Sequence, residues 1–175
     1  MIMPESWRSL LAAPPAPFAI CGGMAVNYYA RPRHTQDLDI VVLSIDWKAW
    51  DTFLSTHGFK RQGPLHIGGW TYAQGSLQLD VLTLEADWVA QAIAEAHNIM
   101  QDSLPILPLA WLVWMKLDAG RTTDQSDISH MLGPLSNGQF DAIVIKLTPR
   151  LSPEDREDLE ALYHLGKLEA QGPDE

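Results

Sequence analysis

Asp37 and Asp39 stand two apart in Asp37-Leu38-Asp39-Ile40-Val41-Val42-Leu43, a run rich in β-branched residues that predicts a strand. On a strand both carboxylates point to one face while Leu38 and Ile40 point to the other. Two carboxylates side by side repel, and a divalent cation that prefers hard oxygen ligands relieves that cost; a solvated strand start is the plainer alternative. A third acid, Asp80, lies in the alternating run Leu77-Gln78-Leu79-Asp80-Val81-Leu82 and joins the pair if the two strands are neighbours. Upstream, Gly22-Gly23 ends the short apolar run Phe18 to Cys21 and opens a helical stretch from Met24 to Ala30. Free backbone N–H groups and the positive end of a helix there favour a phosphate, although Gly-Gly alone also serves as a tight turn. The thirteen residues between Gly23 and Asp37 suffice for one helix to bring the chain back beside the first strand.

These positions must be held by elements that the sequence also marks. Ser6 to Ala13 predicts a short helix closed by Pro14, Pro15 and Pro17. Ser44 is an expected N-cap for a helix over 45–57, with Trp47, Trp50, Phe53 and Leu54 at helical spacing and Gly58 after its end. Gln74-Gly75-Ser76 predicts a hairpin turn between strands at 70–73 and 77–83. From Ala86 the pattern is helical, over 86–97, 108–120, 123–132, 139–147 and 153–166, the last carrying a capping signature at Ser152, Pro153, Glu154 and Asp155. The tail from Ala170 to Glu175 is expected to fray. The layout is an α/β (α+β) front over 1–100, with a mixed sheet flanked by helices, and a helical region over 101–175 packed on it as one compact unit.

In the helix over 108–120, Leu109, Leu112, Val113 and Leu117 form an apolar stripe on which Lys116 also falls. A lysine so placed either snorkels or reaches something anionic. Asp124, Asp127, Ile128 and Met131 share a face of the next helix, so both acids are available to pair with Lys116 or Arg121, a structural ion pair being the favoured reading for Asp127.

The run Gly22-Gly23-Met24-Ala25-Val26, followed by Arg33-His34-Thr35-Gln36-Asp37-Leu38-Asp39-Ile40, resembles the signature of the DNA polymerase β-like nucleotidyltransferase superfamily. Within it the chain looks most like the AbiEii-type and related minimal nucleotidyltransferases of toxin–antitoxin and phage-defence systems, in which an Arg and a Ser or Thr, here Arg33 and Thr35, often precede the acids. The segment from Met115 to Ile128 is similar to the Lys, Arg, Asp, Asp-Ile helical motif of the same proteins. The resemblance spans residues 18–132.

It implies Mg²⁺-dependent (or Mn²⁺-dependent) transfer of a nucleoside monophosphate from a nucleoside triphosphate to an acceptor hydroxyl, with pyrophosphate leaving. Asp37, Asp39 and Asp80 would be the metal ligands and, with Lys116, the catalytic residues; Gly22, Gly23, Arg33, Thr35 and Asp124 would contact the nucleotide. The implied acceptors are a tRNA end, a protein or a small molecule such as an aminoglycoside, and a cognate antitoxin or toxin protein is an implied partner. The alternative is a non-catalytic nucleotide-binding or antitoxin-like module of the same fold.

Composition narrows the setting. The chain has 175 residues, 46% hydrophobic and 19% charged, with one cysteine and a net charge of −10. That length buries roughly 70% of the unfolded surface and excludes disordered and collagen-like classes. One cysteine builds no disulfide framework, Met1 to Leu11 lacks the marks of a signal peptide, and no apolar run reaches bilayer length, so a cytoplasmic protein without membrane association is expected. Residues 1–79 carry six basic and five acidic side chains, whereas residues 80–175 carry six and 17. Such acidity disfavours non-specific nucleic-acid binding and leaves the N-terminal half as the anion-friendly one. The six histidines show no zinc-ligand spacing, and His34 reads as a surface residue at the rim. Trp47, Trp50, Trp111 and Trp114 read as core, while Trp70 and Tyr72 could present an aromatic ring to a base from a hairpin edge.

Overall fold

The apolar runs at 18–21, 38–43 and 77–84 form strands, and with two further strands they pair into one five-stranded mixed sheet. The computed structural model describes residues 3–35 and 37–171. Strand β1 (Phe18–Cys21) pairs antiparallel with β2 (Leu38–Leu43), which lies parallel to β5 (Leu77–Leu84). β5 pairs antiparallel with β4 (Gly69–Gln74), and β4 with β3 (Lys60–Pro64), for the order β1-β2-β5-β4-β3. Helix α2 (Gly22–Tyr29) makes the return from β1 to β2. The β4–β5 hairpin turns through Gly75-Ser76, with Gly75 at φ +59° as such a two-residue turn requires.

The described residues of 1–28 and 32–108 form one compact unit and those of 29–31 and 109–171 another. In the first, helix α3 (Trp47–Thr56) covers one sheet face: Trp50 packs edge-on against Phe18 at 5.4 Å, and the Tyr72 hydroxyl donates to Asp51 Oδ1 at 2.7 Å. Helices α1 (Glu5–Leu11) and α4 (Trp88–Ala96) bury Trp7, Leu11, Val89 and Ile93 in the same unit. Each such large side chain contributes about 1.5–3 kcal/mol through burial.

Two local expectations change. Ser44 does not cap α3: Ser44-Ile45-Asp46 winds into a 3₁₀ turn whose first carbonyl accepts the Trp47 N–H, so the α-helix begins three residues later. Beyond α4 the chain is not wholly helical. A hairpin of β6 (Met100–Gln101) and β7 (Leu104–Pro105) turns through Asp102 and Ser103, both at positive φ. Its strands are too short for periodicity to reveal, and the Asp102 carboxylate anchors the turn by accepting the Met3 N–H at 2.7 Å.

The second unit contains α5 (Leu109–Ala119), α6 (Thr122–Leu132), α7 (Asn137–Leu147) and α8 (Pro153–Gln171). α6 and α8 cross where Gly133 meets Gly166; a Cβ on Gly166 would lie 2.0 Å from the Ser129 carbonyl oxygen. Ser152 Oγ accepts the Asp155 N–H at 3.0 Å while Asp155 Oδ2 accepts the Ser152 N–H at 2.9 Å, the reciprocal cap expected at the start of α8. This helix outlasts its predicted end because Glu169 accepts a hydrogen bond from Ser129 at 2.9 Å and Lys167 donates to the Leu135 carbonyl. Of the tail expected to fray, Ala170 and Gln171 are helical and 172–175 lie outside the described residues. No helix among the described residues is long and apolar enough to cross a membrane.

Candidate active site

The strand register gathers the acids. Asp39 sits opposite Asp80 across the parallel β2–β5 ladder, Cys21 flanks Asp39 on β1, and Thr71 flanks Asp80 on β4. Residues aligned across adjacent strands share a face, so Cys21, Asp39, Asp80 and Thr71 form one transverse row. Asp37, two residues before Asp39, is near enough for its charge to act on Asp80. Burial first, and the Asp37 charge with it, push the Asp80 carboxyl above the ordinary carboxylate range against hydrogen bonds from Thr71 and Gln78. Asp80 Oδ1 is buried with no hydrogen-bond partner, an arrangement that costs stability unless something cationic or protic meets it.

These observations test the fit of a divalent cation. The donors are hard carboxylate oxygens, one of them unsatisfied, and the charge they concentrate is the kind such an ion neutralises. Among the described residues no three His, Cys, Asp or Glu side chains already close into a metal-holding ring. Asp39 and Asp80 are therefore neighbours on one sheet face, with Asp37 just before β2, without forming a finished cage.

The glycine turn abuts this row. Gly22 has φ +55°, and a Cβ there would fall 1.9 Å from Asp39 Oδ2, so backbone conformation and the carboxylate both exclude a side chain. A Cβ on Gly23 would lie 2.8 Å from Thr35 Oγ1, which brings the segment before Asp37 against the same turn. Thr35 Oγ1 in turn donates to the Asp37 carbonyl at 3.3 Å. Gly22→Ala is expected to push the Asp39 carboxylate aside and to lower the melting temperature, since a residue with a Cβ is strained at this positive φ and meets Asp39 Oδ2. A melting temperature equal to that of wild type would contradict this packing.

Sequence reasoning overlooked Asn27, which is buried in α2. Its Nδ2 donates to the Arg33 carbonyl at 2.9 Å, and its Oδ1 accepts the Arg33 N–H at 2.8 Å. The available signal was a poor helix former inside the apolar run Met24-Ala25-Val26. Arg33 and His34 are exposed, His34 as expected.

Lys116 and Asp124 meet each other in the second unit. Lys116 Nζ donates to Asp124 Oδ1 at 2.7 Å and to Asp127 Oδ2 at 2.8 Å, and all three side chains are buried. Arg121 Nε adds a bond to Asp124 Oδ2 at 2.6 Å. Burial alone would raise the Asp124 carboxyl, but Arg121 and Lys116 together hold it below its ordinary range. The anion that Lys116 reaches is this pair of aspartates, and the ion pairing expected for Asp127 is present.

The base-stacking idea for Trp70 and Tyr72 is corrected. Both alternate with Thr71 on β4 and so face away from Asp80. Tyr72 is fully buried, and the Trp70 ring is taken by the Arg61 guanidinium at 4.5 Å and by Trp47.

One stability consequence follows from Asp80. Its raised proton affinity in the fold means that ionisation costs stability above its folded pKa, and that the cost disappears as pH falls through that value. At pH 7 with EDTA, Asp80→Asn is expected to raise the melting temperature, because the neutral amide escapes the burial cost that the carboxylate carries. The gain should vanish below the ordinary carboxylate range; a lowered melting temperature at pH 7 would overturn the assignment.

No protein-family model matches the sequence, and no curated protein matches it significantly. Solved structures do. The chain is similar to the aminoglycoside nucleotidyltransferase ANT(2'')-Ia in its crystal structure with adenylyl-2''-tobramycin, at 16% identity and a TM-score of 0.50 over 88% of each chain. The solution structure of the antibiotic-resistance factor ANT(2'')-Ia matches at 15% identity and a TM-score of 0.48, covering 89% of this chain and 84% of that one. At this identity the likeness is one of fold: a five-stranded mixed sheet flanked by helices, followed by further helices, in the nucleotidyltransferase arrangement.

Proposed function

We propose that the chain is a nucleotidyltransferase that moves a nucleoside monophosphate from a nucleoside triphosphate to an acceptor hydroxyl. The observation that carries this reading is the Asp39–Asp80 pair on adjacent strands, with the Asp39 carboxylate packed directly against the Gly22–Gly23 turn. In this reading Gly22, Gly23, Arg33 and Thr35 receive the phosphates, the backbone N–H groups at the start of α2 supplying donors. Asp37, Asp39 and Asp80 hold Mg²⁺ or Mn²⁺, which when bound neutralises phosphate charge and lowers the pKa of a hydroxyl. Asp80 orients the acceptor through its unpaired Oδ1. The acceptor oxygen bonds to the α-phosphorus, the bond to the β-phosphate bridging oxygen breaks, pyrophosphate leaves, and the acceptor proton passes to Asp80 or solvent. Lys116 and Asp124 contribute by balancing one another's charge.

For the acceptor, the 17 acidic against six basic side chains of residues 80–175 favour a small polycationic alcohol over RNA. The adenylylated tobramycin bound by ANT(2'')-Ia is a molecule of that class. A protein hydroxyl, with the AbiEii-like setting and a cognate toxin or antitoxin partner, is the competing class; it is supported by the motif from Arg33 to Ile40. A cytoplasmic setting suits both. Thermal melts with each of four triphosphates, with Mg²⁺ and with EDTA, test the reading: one nucleotide should stabilise the protein only when the cation is present. Cation-independent stabilisation would mark a nucleotide-binding module without this site, and no stabilisation by any of them would refute the proposal.

A further inference from the structure

We infer that Asn27 is a positioning residue for phosphate capture, holding the Arg33–Thr35 segment against the glycine turn before nucleotide arrives; this rests on the function proposed above. Both polar ends of its carboxamide are committed to one residue's backbone, donating to the Arg33 carbonyl at 2.9 Å and accepting the Arg33 N–H at 2.8 Å. The carboxamide thus behaves like a rung of a strand ladder, and it ties a loop residue to the helix that starts at Gly22. Asn27 is 5% exposed, so water competes poorly for these bonds.

The geometry of the loop gives the clasp its consequence. Arg31, Arg33 and His34 are exposed on a connection without regular structure. Two residues past the clasp, Thr35 meets Gly23, and two further on Asp37 precedes β2. A segment pinned by its backbone at Arg33 and again at Thr35 has little main-chain freedom left, so its backbone and the Thr35 hydroxyl are already ordered against the turn when a triphosphate binds. Without the clasp the segment samples other conformations, and apparent affinity falls by the fraction of time it is competent.

Four variants test this: Asn27→Ala, Asn27→Asp, which keeps the shape and the acceptor but lacks the donor, Arg33→Ala, and Asn27→Ala combined with Arg33→Ala. In the free protein, hydrogen exchange at the Arg33 amide should be slow in the wild type and fast in Asn27→Ala, with 38–43 unchanged. Dissociation constants for the stabilising triphosphate with Mg²⁺ should rise about tenfold, as for a segment competent a tenth of the time, while kcat at saturation stays within about twofold. In the Arg33→Ala background, Asn27→Ala should add little. Unchanged nucleotide affinity in a folded Asn27→Ala or Asn27→Asp protein overturns the inference, as does a fall in kcat at constant affinity. Wild type that binds no triphosphate overturns the proposed function and the inference with it, and that failure shows before any substitution is made.

Discussion

Asp39→Asn is expected to lower nucleotide transfer by about 10³-fold while leaving a folded protein, since removing one preorganised charged group from such a site costs on this order. Asp39 is the acid with the most neighbours in the site: Asp80 beside it on β5, Cys21 on β1, and Gly22 against its Oδ2. The amide is isosteric, so the packing that excludes a Cβ from Gly22 survives, and a carboxylate beside Asp80 on the adjacent strand becomes neutral. The melting temperature without divalent cation should therefore hold or rise. Loss of activity accompanied by unfolding would mean that Asp39 is a structural residue.

Lys116→Met should have the largest effect on stability, about 3–5 kcal/mol, because it leaves two buried aspartates without their shared counter-charge. At about 2–4 °C per kcal/mol for a domain of this size, the melting temperature should fall by roughly 6–20 °C. Arg121 remains on Asp124 and keeps part of its charge compensated, so the loss falls mainly on Asp127. Restoring neutrality with Asp124→Asn and Asp127→Asn should recover much of the stability. The pH dependence has a defined sign. The folded-state pKa of Asp124 is depressed, so its contribution is complete above the ordinary carboxylate value and is lost as pH falls through the folded value. Wild type should lose stability in that acid window, and an Asp124→Asn protein should lose less. A Lys116→Met protein as stable as wild type would contradict the network.

The Asp39–Asp80 neighbourhood was partly legible because each acid lies in a strand-forming run and needs only neighbouring strands to meet; Asp37, expected on the same strand as Asp39, instead precedes β2. That β2 lies beside β5, and parallel to it, is a long-range fact that the sequence carries only as a resemblance. The stripe bearing Lys116 and the face bearing Asp124 and Asp127 were equally plain. Their mutual pairing was one of several options, since periodicity locates a charge on a face without naming its partner. Asn27 escaped notice because its function depends on a loop conformation six residues away. The β6–β7 hairpin escaped because two-residue strands have no period. Trp70 and Tyr72 were misjudged for the opposite reason: alternation puts them away from the acids once Thr71 is known to face Asp80.

The central claim, nucleotidyl transfer at the Asp39–Asp80 pair, is tested most directly with four α-labelled triphosphates and Mg²⁺. Each is offered an aminoglycoside panel, total RNA and cell lysate, with Asp39→Asn in parallel and pyrophosphate release recorded. The expected result is label on one acceptor class, with equimolar pyrophosphate, lost in the variant; a polycationic small molecule should accept best. Label transfer that persists undiminished in Asp39→Asn would contradict the account.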